Sequence, residues 1–218
     1  MATPVEQSAA RRAVRAALAL AGAALVAVGV VAVVHDRAEP RIEANRLAAQ
    51  RQQLTAVLGD VAYDNDPLTD TLQVRDREYL GTDQPLTAYR VRRHGEPVAV
   101  LLHAVAPDGY SGSLRMLVAI DVRGRLIGVR VLEHRETPGL GDFVEERRTD
   151  WIRQFDRRSL DAPPAERWQV RKDGGDFDQY TGATITARAV THAVRDALTY
   201  FGRHRAELLA PPPPPDAP

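Results

Sequence analysis

An uninterrupted apolar run near the N-terminus places the strongest constraint on how this chain folds. Residues 16–34 contain no charged side chain and are rich in Ala, Val and Leu. At about 1.5 Å per residue, a helix of this length reaches roughly 28 Å, close to the hydrocarbon thickness of a bilayer. We therefore predict a transmembrane helix over residues 16–34, followed by one folded domain.

The alternative for this run is a cleaved signal peptide. The run is longer than the usual apolar core of such a peptide, and no good small-x-small cleavage site follows it. An uncleaved anchor is therefore favoured. Arg11, Arg12 and Arg15 precede the span, which places residues 1–15 in the cytoplasm and the rest of the chain outside. For a bacterium, this predicts an inner-membrane protein with a periplasmic domain.

The composition excludes several classes of function. Basic and acidic residues balance at 29 each, which argues against a general nucleic-acid binder. The chain has no cysteine, so disulfides, thiolate zinc sites and protein-ligated iron–sulfur clusters are ruled out. Its six histidines show no metal-binding spacing, and we predict no metal site. A redox centre in this protein would therefore have to be a bound cofactor.

The pattern after the apolar run predicts an α+β fold, with an antiparallel sheet and packed helices. Residues 35–70 are predicted as a juxtamembrane stalk with a helix over 41–58, residues 71–205 as the domain, and residues 206–218 as a Pro-rich disordered tail. Helical spacing is also expected at 144–155 and after Thr184. Strands are predicted at about 72–79, 87–92, 97–105, 114–122 and 125–132, the last two joined by a hairpin at Arg123-Gly124.

Two glycine-rich loops are candidates for a cofactor site. One is Glu136-Thr-Pro-Gly-Leu-Gly141, and the other ends in Asp178-Gln-Tyr-Thr-Gly-Ala-Thr184 just before the predicted last helix. Glycines allow close approach of the backbone to a flat ligand, and a helix N-terminus favours a phosphate. The alternative for the second loop is an ordinary Thr cap after a Gly turn.

Three segments together resemble the FMN-binding domain family. They are Gly109-Tyr-Ser-Gly112, the stretch from Val131 to Asp142 that contains Glu-Thr-Pro-Gly-Leu-Gly, and the stretch from Gly174 to Thr186 that contains Asp-x-x-Thr-Gly-Ala-Thr. Their order and spacing are more similar to the G-type component of Rnf (Rsx) ion-translocating electron transport complexes than to the C-type component of the Na+-translocating NADH:quinone reductase.

The resemblance implies a covalently attached FMN. In the family, a dedicated flavin transferase moves FMN from FAD onto the last Thr of the motif, which is Thr184 here. Thr186 is the second choice of acceptor and Thr181 the third. Lys172, the only lysine in the chain, faces either the flavin or solvent. The remaining residues expected to contact FMN are Asp178, Gly182, Ala183, Glu136, Thr137, Gly139, Leu140 and Gly141.

The function implied is an electron carrier within a membrane complex, with other subunits as partners and no catalytic residues of its own. A carrier needs no general base, nucleophile or substrate pocket. Two alternatives remain open: a membrane-anchored FMN sensor or scaffold whose flavin does not turn over, and an extracytoplasmic flavin-dependent reductase. A component similar to the C-type component of the NADH:quinone reductase is a further variant of the carrier hypothesis.

Overall fold

The computed structural model describes residues 4–211, which divide into two compact units between Gln52 and Gln53. Residues 1–3 of the predicted cytoplasmic segment and the predicted tail from residue 212 onward lie outside the described residues. The elements in chain order are α1 (Pro4–Leu58), β1 (Thr71–Asp76), α2 (Arg77–Leu80), β2 (Thr82–Arg93), β3 (Glu96–Ala106), β4 (Leu114–Asp121), β5 (Leu126–Glu133) and α3 (Thr184–Leu208). Four 3₁₀ helices lie between β5 and α3, at Asp142–Val144, Trp151–Phe155, Ala165–Arg167 and Arg171–Asp173.

The first unit consists of most of α1. The predicted span at 16–34 and the predicted helix at 41–58 are parts of this one continuous helix, which contains Pro40. Among the described residues, α1 supplies the one helix that is long and apolar enough to cross a membrane, and its apolar window is not buried in the protein. An apolar surface of this length on a single helix is stable in a lipid environment.

The second unit is built on a five-stranded antiparallel sheet in the order β1-β2-β3-β4-β5. Each strand pairs with its neighbour in sequence, so the sheet is a simple meander. The predicted hairpin is present between β4 and β5, where the Asp121 carboxylate accepts hydrogen bonds from the N–H groups of Arg123 and Arg125. The predicted α+β fold is therefore confirmed.

Both faces of the sheet are covered, which explains the continuous apolar character of β3 and β4. One face packs against α3 and the 3₁₀ segments, with Val100, Leu102, Met116 and Val118 among its buried residues. The opposite face is covered by the C-terminal end of α1, which contributes Leu54, Val57 and Leu58 to a second core with Leu101 and Leu117. Alternate residues of each central strand thus enter two different cores.

One predicted strand is present but ends earlier than predicted, and one predicted helix is absent. The strand predicted at 72–79 ends at Asp76, because the Asp76 carboxylate accepts a hydrogen bond from the Tyr79 N–H and caps the single turn α2. The helix predicted at 144–155 is instead two short 3₁₀ helices. The Thr149 hydroxyl, which donates to the Phe143 carbonyl, closes the turn between them, while Ile152 and Phe155 still reach the core.

Replacing Gly128 with Ala tests the contact between the end of α1 and β5. A Cβ at Gly128 would lie 2.8 Å from the Val57 carbonyl oxygen, so backbone would have to move. We expect a loss of about 1–3 kcal/mol in the free energy of unfolding, measured by urea denaturation. Gly202→Ala in α3 is the control, because its Cβ meets nothing and Ala favours a helix. Equal stability of the two variants would contradict this packing.

Candidate functional site

A cavity of about 430 Å³ lies where the two glycine-rich loops meet the N-terminus of α3. The predicted site residues that line it are Glu136, Thr137, Leu140, Gly141, Lys172, Gly182, Ala183, Thr184 and Thr186. Segments separated by about fifty residues in the sequence therefore form one wall, as the sequence predicted. Three predicted residues do not line the cavity: Gly139, Asp178 and Thr181.

Those three residues have other surroundings. The Gly139 N–H donates to Asp142 Oδ1 at 2.9 Å and so holds the first loop closed. The Asp178 carboxylate is exposed and pairs with Arg171 at 3.1 Å. Thr181 is exposed. These three residues therefore lie outside the cavity wall.

Two cavity residues were not predicted, Tyr110 and Ile185. Tyr110 belongs to the Gly-Tyr-Ser-Gly loop, and an aromatic residue in such a glycine-containing loop is the sequence signal that could have identified it. Ile185 gives no such signal, since an Ile next to a helix start usually points into the core. In the second unit, the exposed large apolar side chains of the described residues are Tyr110, Leu140, Tyr180 and Ile185, and three of them border this cavity.

Glu136 connects the three segments of the site. Its side chain is buried, with 5% of the residue exposed. One carboxylate oxygen accepts a hydrogen bond from the Ser111 N–H at 3.2 Å, and the other accepts from the Thr186 hydroxyl at 2.8 Å. A single acidic side chain thus links the Tyr110 loop, its own loop and α3.

Two glycines make room for this carboxylate. A Cβ at Gly141 would lie 2.7 Å from Glu136 Oε2, and a Cβ at Gly109 would lie 2.9 Å from Oε1. Any larger residue at either position would push the loops apart. The glycines of these two motifs therefore have a packing role around Glu136, in addition to any role in ligand approach.

Two further residues, His134 and Glu145, hold the backbone of Glu136 in place. The Glu136 N–H donates to His134 Nδ1, so the proton of the neutral imidazole is on Nε2, which donates to Glu145 at 2.9 Å. The Arg147 guanidinium, which donates to Glu145, together with His134 holds the pKa of that carboxyl below its usual range. Glu145 is therefore a charged acceptor for the imidazole N–H and fixes the orientation of the ring.

The N-terminus of α3 forms the polar end of the cavity. Ala183 occupies the cap position, and no side chain caps the helix. The alternative that the Thr residues are ordinary caps is therefore not supported. The N–H groups of the first turn have no acceptor within the helix and favour an anion. Thr184, the first helical residue, is half-buried on the cavity wall.

Lys172 places a positive charge on the same wall. It lies in the 3₁₀ helix Arg171–Asp173, whose last residue is tied to α3, since Asp173 Oδ1 accepts from Arg188 at 2.8 Å. The hydrogen bond from Arg188 holds the pKa of Asp173 below its ordinary range. Lys172 and Glu136 are the charged residues of the cavity lining, and Glu136 is already bonded on both oxygens.

Replacing Glu136 with Ala is expected to lower the free energy of unfolding by about 2–3 kcal/mol. The variant leaves the Ser111 N–H and the buried Thr186 hydroxyl without their acceptor. Thermal and urea denaturation measure the loss. Glu136→Gln, which keeps an acceptor oxygen, should lose less. Glu133→Ala, at an exposed position of β5 that pairs loosely with Arg115, is the control and should behave like wild type.

Residues 109–199 match the FMN-binding domain family, and residues 1–57 match the RnfG N-terminal region. The G component of the ion-translocating oxidoreductase complex from Pseudomonas aeruginosa strain UCBPP-PA14 is 47% identical over 92% of this chain and 94% of its own. The protein of the same name from Vibrio atlanticus is 42% identical over 89% of this chain and 93% of its own. The one from Shewanella piezotolerans is 40% identical over 87% of this chain and 89% of its own.

Among solved structures, the chain is similar to the crystal structure of Shewanella oneidensis NqrC. The sequence identity is 22%, and the alignment covers 69% of this chain and 81% of that chain with a TM-score of 0.45.

Proposed function

Because the chain belongs to the RnfG family of ion-translocating oxidoreductase complexes and contains an FMN-binding domain, we propose that it carries FMN covalently on Thr184 and relays electrons within such a complex. The resemblance predicted from the three loops is thereby confirmed at the level of the family. The attachment, its position and the relay are the proposal.

The cavity at the start of α3 is the observation that carries this proposal. It lies within the part of the chain that matches the FMN-binding domain, and Thr184 is on its wall. The uncapped first turn of α3 offers N–H donors to a phosphate beside the Thr184 hydroxyl. A phosphate esterified to this oxygen would therefore meet the positive end of the helix dipole.

The rest of the lining suits the flavin ring. Tyr110, Leu140 and Ile185 provide apolar surface for the faces of the isoalloxazine, and the Thr137 hydroxyl and nearby backbone provide hydrogen-bonding groups for its edge. Lys172 adds a cation to the wall, where it favours negative charge on the phosphate or the ring. When bound, FMN supplies redox chemistry that none of the side chains provides.

Attachment requires a transferase and a donor. In the proposed reaction, Thr184 Oγ forms a bond to the phosphorus of the FMN half of FAD, and the bond between the two phosphates breaks. AMP leaves, and the hydroxyl proton passes to a base on the flavin transferase. No electron is exchanged in this step, so neither an oxidant nor a reductant is needed. Covalent attachment retains the cofactor in a compartment where free FMN would be lost by dilution.

We place the chain in the bacterial inner membrane with the second unit in the periplasm. The apolar window of α1 supports an anchor, and Arg11, Arg12 and Arg15 on its N-terminal side support a cytoplasmic N-terminus. The relatives are named as parts of a complex, so its other components are the proposed electron partners.

The test begins with the full chain expressed with and without a flavin transferase. We expect in-gel flavin fluorescence that survives denaturation, and an intact mass higher by FMN less water, only when the transferase is present. A redox titration of the flavin within the isolated complex then distinguishes a relay from a scaffold. A chain with no bound flavin would contradict the proposal, and a flavin that never changes state during turnover would contradict the relay.

A further inference from the structure

The backbone of Asp178, where the acceptor motif begins, is held by two side chains from a different segment. The Asp178 N–H donates to Gln154 Oε1 at 2.6 Å, and its carbonyl accepts from Gln154 Nε2 at 3.4 Å and from Trp151 Nε1 at 2.7 Å. Both residues lie in the 3₁₀ helix Trp151–Phe155. The Asp178 side chain does not take part and stays exposed, so Gln154 and Trp151 contact only the backbone of the motif at this residue.

The segment from 179 to 184 is largely exposed to solvent, but its conformation is held by contacts within the protein. Asp178, Tyr180, Thr181 and Gly182 are all exposed. The Tyr180 ring stacks on Phe143 with centroids 4.7 Å apart and planes at 6°. The Ala183 N–H donates to the Tyr180 carbonyl at 3.0 Å and closes a turn just before Thr184. The segment is therefore exposed to solvent while its backbone is held at Asp178 and in the turn before Thr184.

The clamp formed by Gln154 and Trp151 is itself braced by the aromatic core. The Trp151 indole makes edge-to-face contacts with Phe143 at 4.8 Å and with Phe155 at 5.5 Å. Phe143 is thus in contact with both Trp151 and Tyr180. The orientation of the Trp151 indole is therefore set by packing against the core.

We propose that Gln154 and Trp151 are positioning residues for flavin attachment, which present the Asp178–Thr184 segment to the flavin transferase in its reactive shape. The proposal rests on the proposed function, because it presupposes transfer of FMN from FAD to Thr184 with release of AMP. Neither residue touches the reacting atoms. Their effect is on the population of the conformation that the transferase binds.

This role predicts an effect on KM and little effect on kcat. If the segment adopts the binding shape only part of the time, the affinity of the transferase falls by that fraction. Loss of the hydrogen bonds to Asp178 should therefore raise the KM for the acceptor chain about five- to tenfold. Once the complex forms, Thr184 is placed as in wild type, so kcat should stay within about twofold of wild type. A general loss of folding would instead lower the fraction of chain that is modified at completion.

The experiment uses full-length chain, purified in detergent from cells without the transferase, and incubated with FAD and purified transferase. Initial rates of flavin incorporation are measured by in-gel fluorescence at several chain concentrations. Gln154→Leu removes both hydrogen bonds of the amide. Trp151→Phe keeps an aromatic ring but removes the N–H that reaches the Asp178 carbonyl. Both should show the higher KM with an unchanged extent of modification.

Two further variants define the origin of the effect. Gln154→Glu keeps an oxygen acceptor for the Asp178 N–H and should lie between wild type and Gln154→Leu. Arg153→Ala changes an exposed neighbour on the same 3₁₀ helix that pairs with Glu146, and should match wild type. An unchanged KM in both Gln154→Leu and Trp151→Phe, with wild type modified normally, would contradict the positioning role of these two residues and leave the proposed function standing. Wild type that takes up no flavin would overturn the proposed function and the clamp with it.

Discussion

Thr184→Val is expected to abolish covalent flavin completely while the protein remains folded. Val has nearly the shape of Thr and the same branching at Cβ, but it lacks the oxygen that would form the phosphoester. Thr184 is half-buried and its side chain does not cap α3, so the fold depends little on its hydroxyl. In-gel fluorescence after denaturation and intact mass measure the loss, and thermal unfolding shows that the chain is intact.

The neighbouring threonines are matched controls with different surroundings. The Thr186 hydroxyl is fully buried and donates to Glu136, so Thr186→Val should still carry flavin but lose about 1–2 kcal/mol of stability. Thr181 is exposed and lies outside the cavity lining, so Thr181→Val should keep the stability of wild type and still carry flavin. Flavin retained in Thr184→Val and mapped to Thr186 would overturn the assignment.

Asp70→Ala is expected to cause a larger loss of stability than the substitutions of Glu136 and Thr186. Asp70 pairs with Arg92 at 2.6 Å and with Arg90 at 3.4 Å, and the three side chains are 5–13% exposed. Removing the carboxylate leaves two buried guanidinium groups without a counter-charge. Breaking a buried ion pair in this way costs about 3–5 kcal/mol.

The same arginines hold the C-terminal end of α3. Arg90 donates to the carbonyls of Leu208 at 3.1 Å and Glu207 at 3.3 Å, and Arg92 donates to the Ala210 carbonyl at 2.5 Å. These are carbonyls at a helix end, which lack partners within the helix. Loss of Asp70 should therefore loosen the end of α3 before the sheet, and hydrogen exchange of residues 205–210 should rise more than that of β3.

Asp83→Ala is the control for this network. Asp83 pairs with Arg77 at 3.0 Å, but both side chains are mostly exposed. An exposed pair contributes little, because water solvates both charges. Urea denaturation of the two variants should separate them clearly. Similar losses in Asp70→Ala and Asp83→Ala would show that the buried network does not stabilise α3.

The strongly periodic parts of the fold were predictable from the sequence. The face of α3 that contains Val190, Val194 and Phe201 is buried as its spacing predicted. The hairpin between β4 and β5 follows from a turn sequence between two apolar runs. In α3 the apolar positions repeat over enough residues to exclude the two-residue period of a strand, and in the hairpin the apolar runs lie on both sides of a turn sequence.

Short elements were not predictable in the same way. The segment from 144 to 155 has apolar residues at helical spacing, but a loop closed by Thr149 brings them to the core from two 3₁₀ turns. The contacts of Gln154 with Asp178 join residues that are far apart in sequence, and an isolated Gln gives no signal of its partner. Side chains that act through long-range hydrogen bonds have no local signature.

The sequence by itself determined the apolar helix, the antiparallel α+β domain, the family and the threonine motif at the start of α3, because each depends on local composition or on a continuous run of residues. Only the tertiary structure decided that Glu136 ties three segments together, that the Thr186 hydroxyl is occupied while Thr184 lies on the cavity wall, and that Gln154 and Trp151 hold Asp178. These relations depend on distances between segments that are remote in the chain, and such distances are set when the sheet, α3 and the loops pack together.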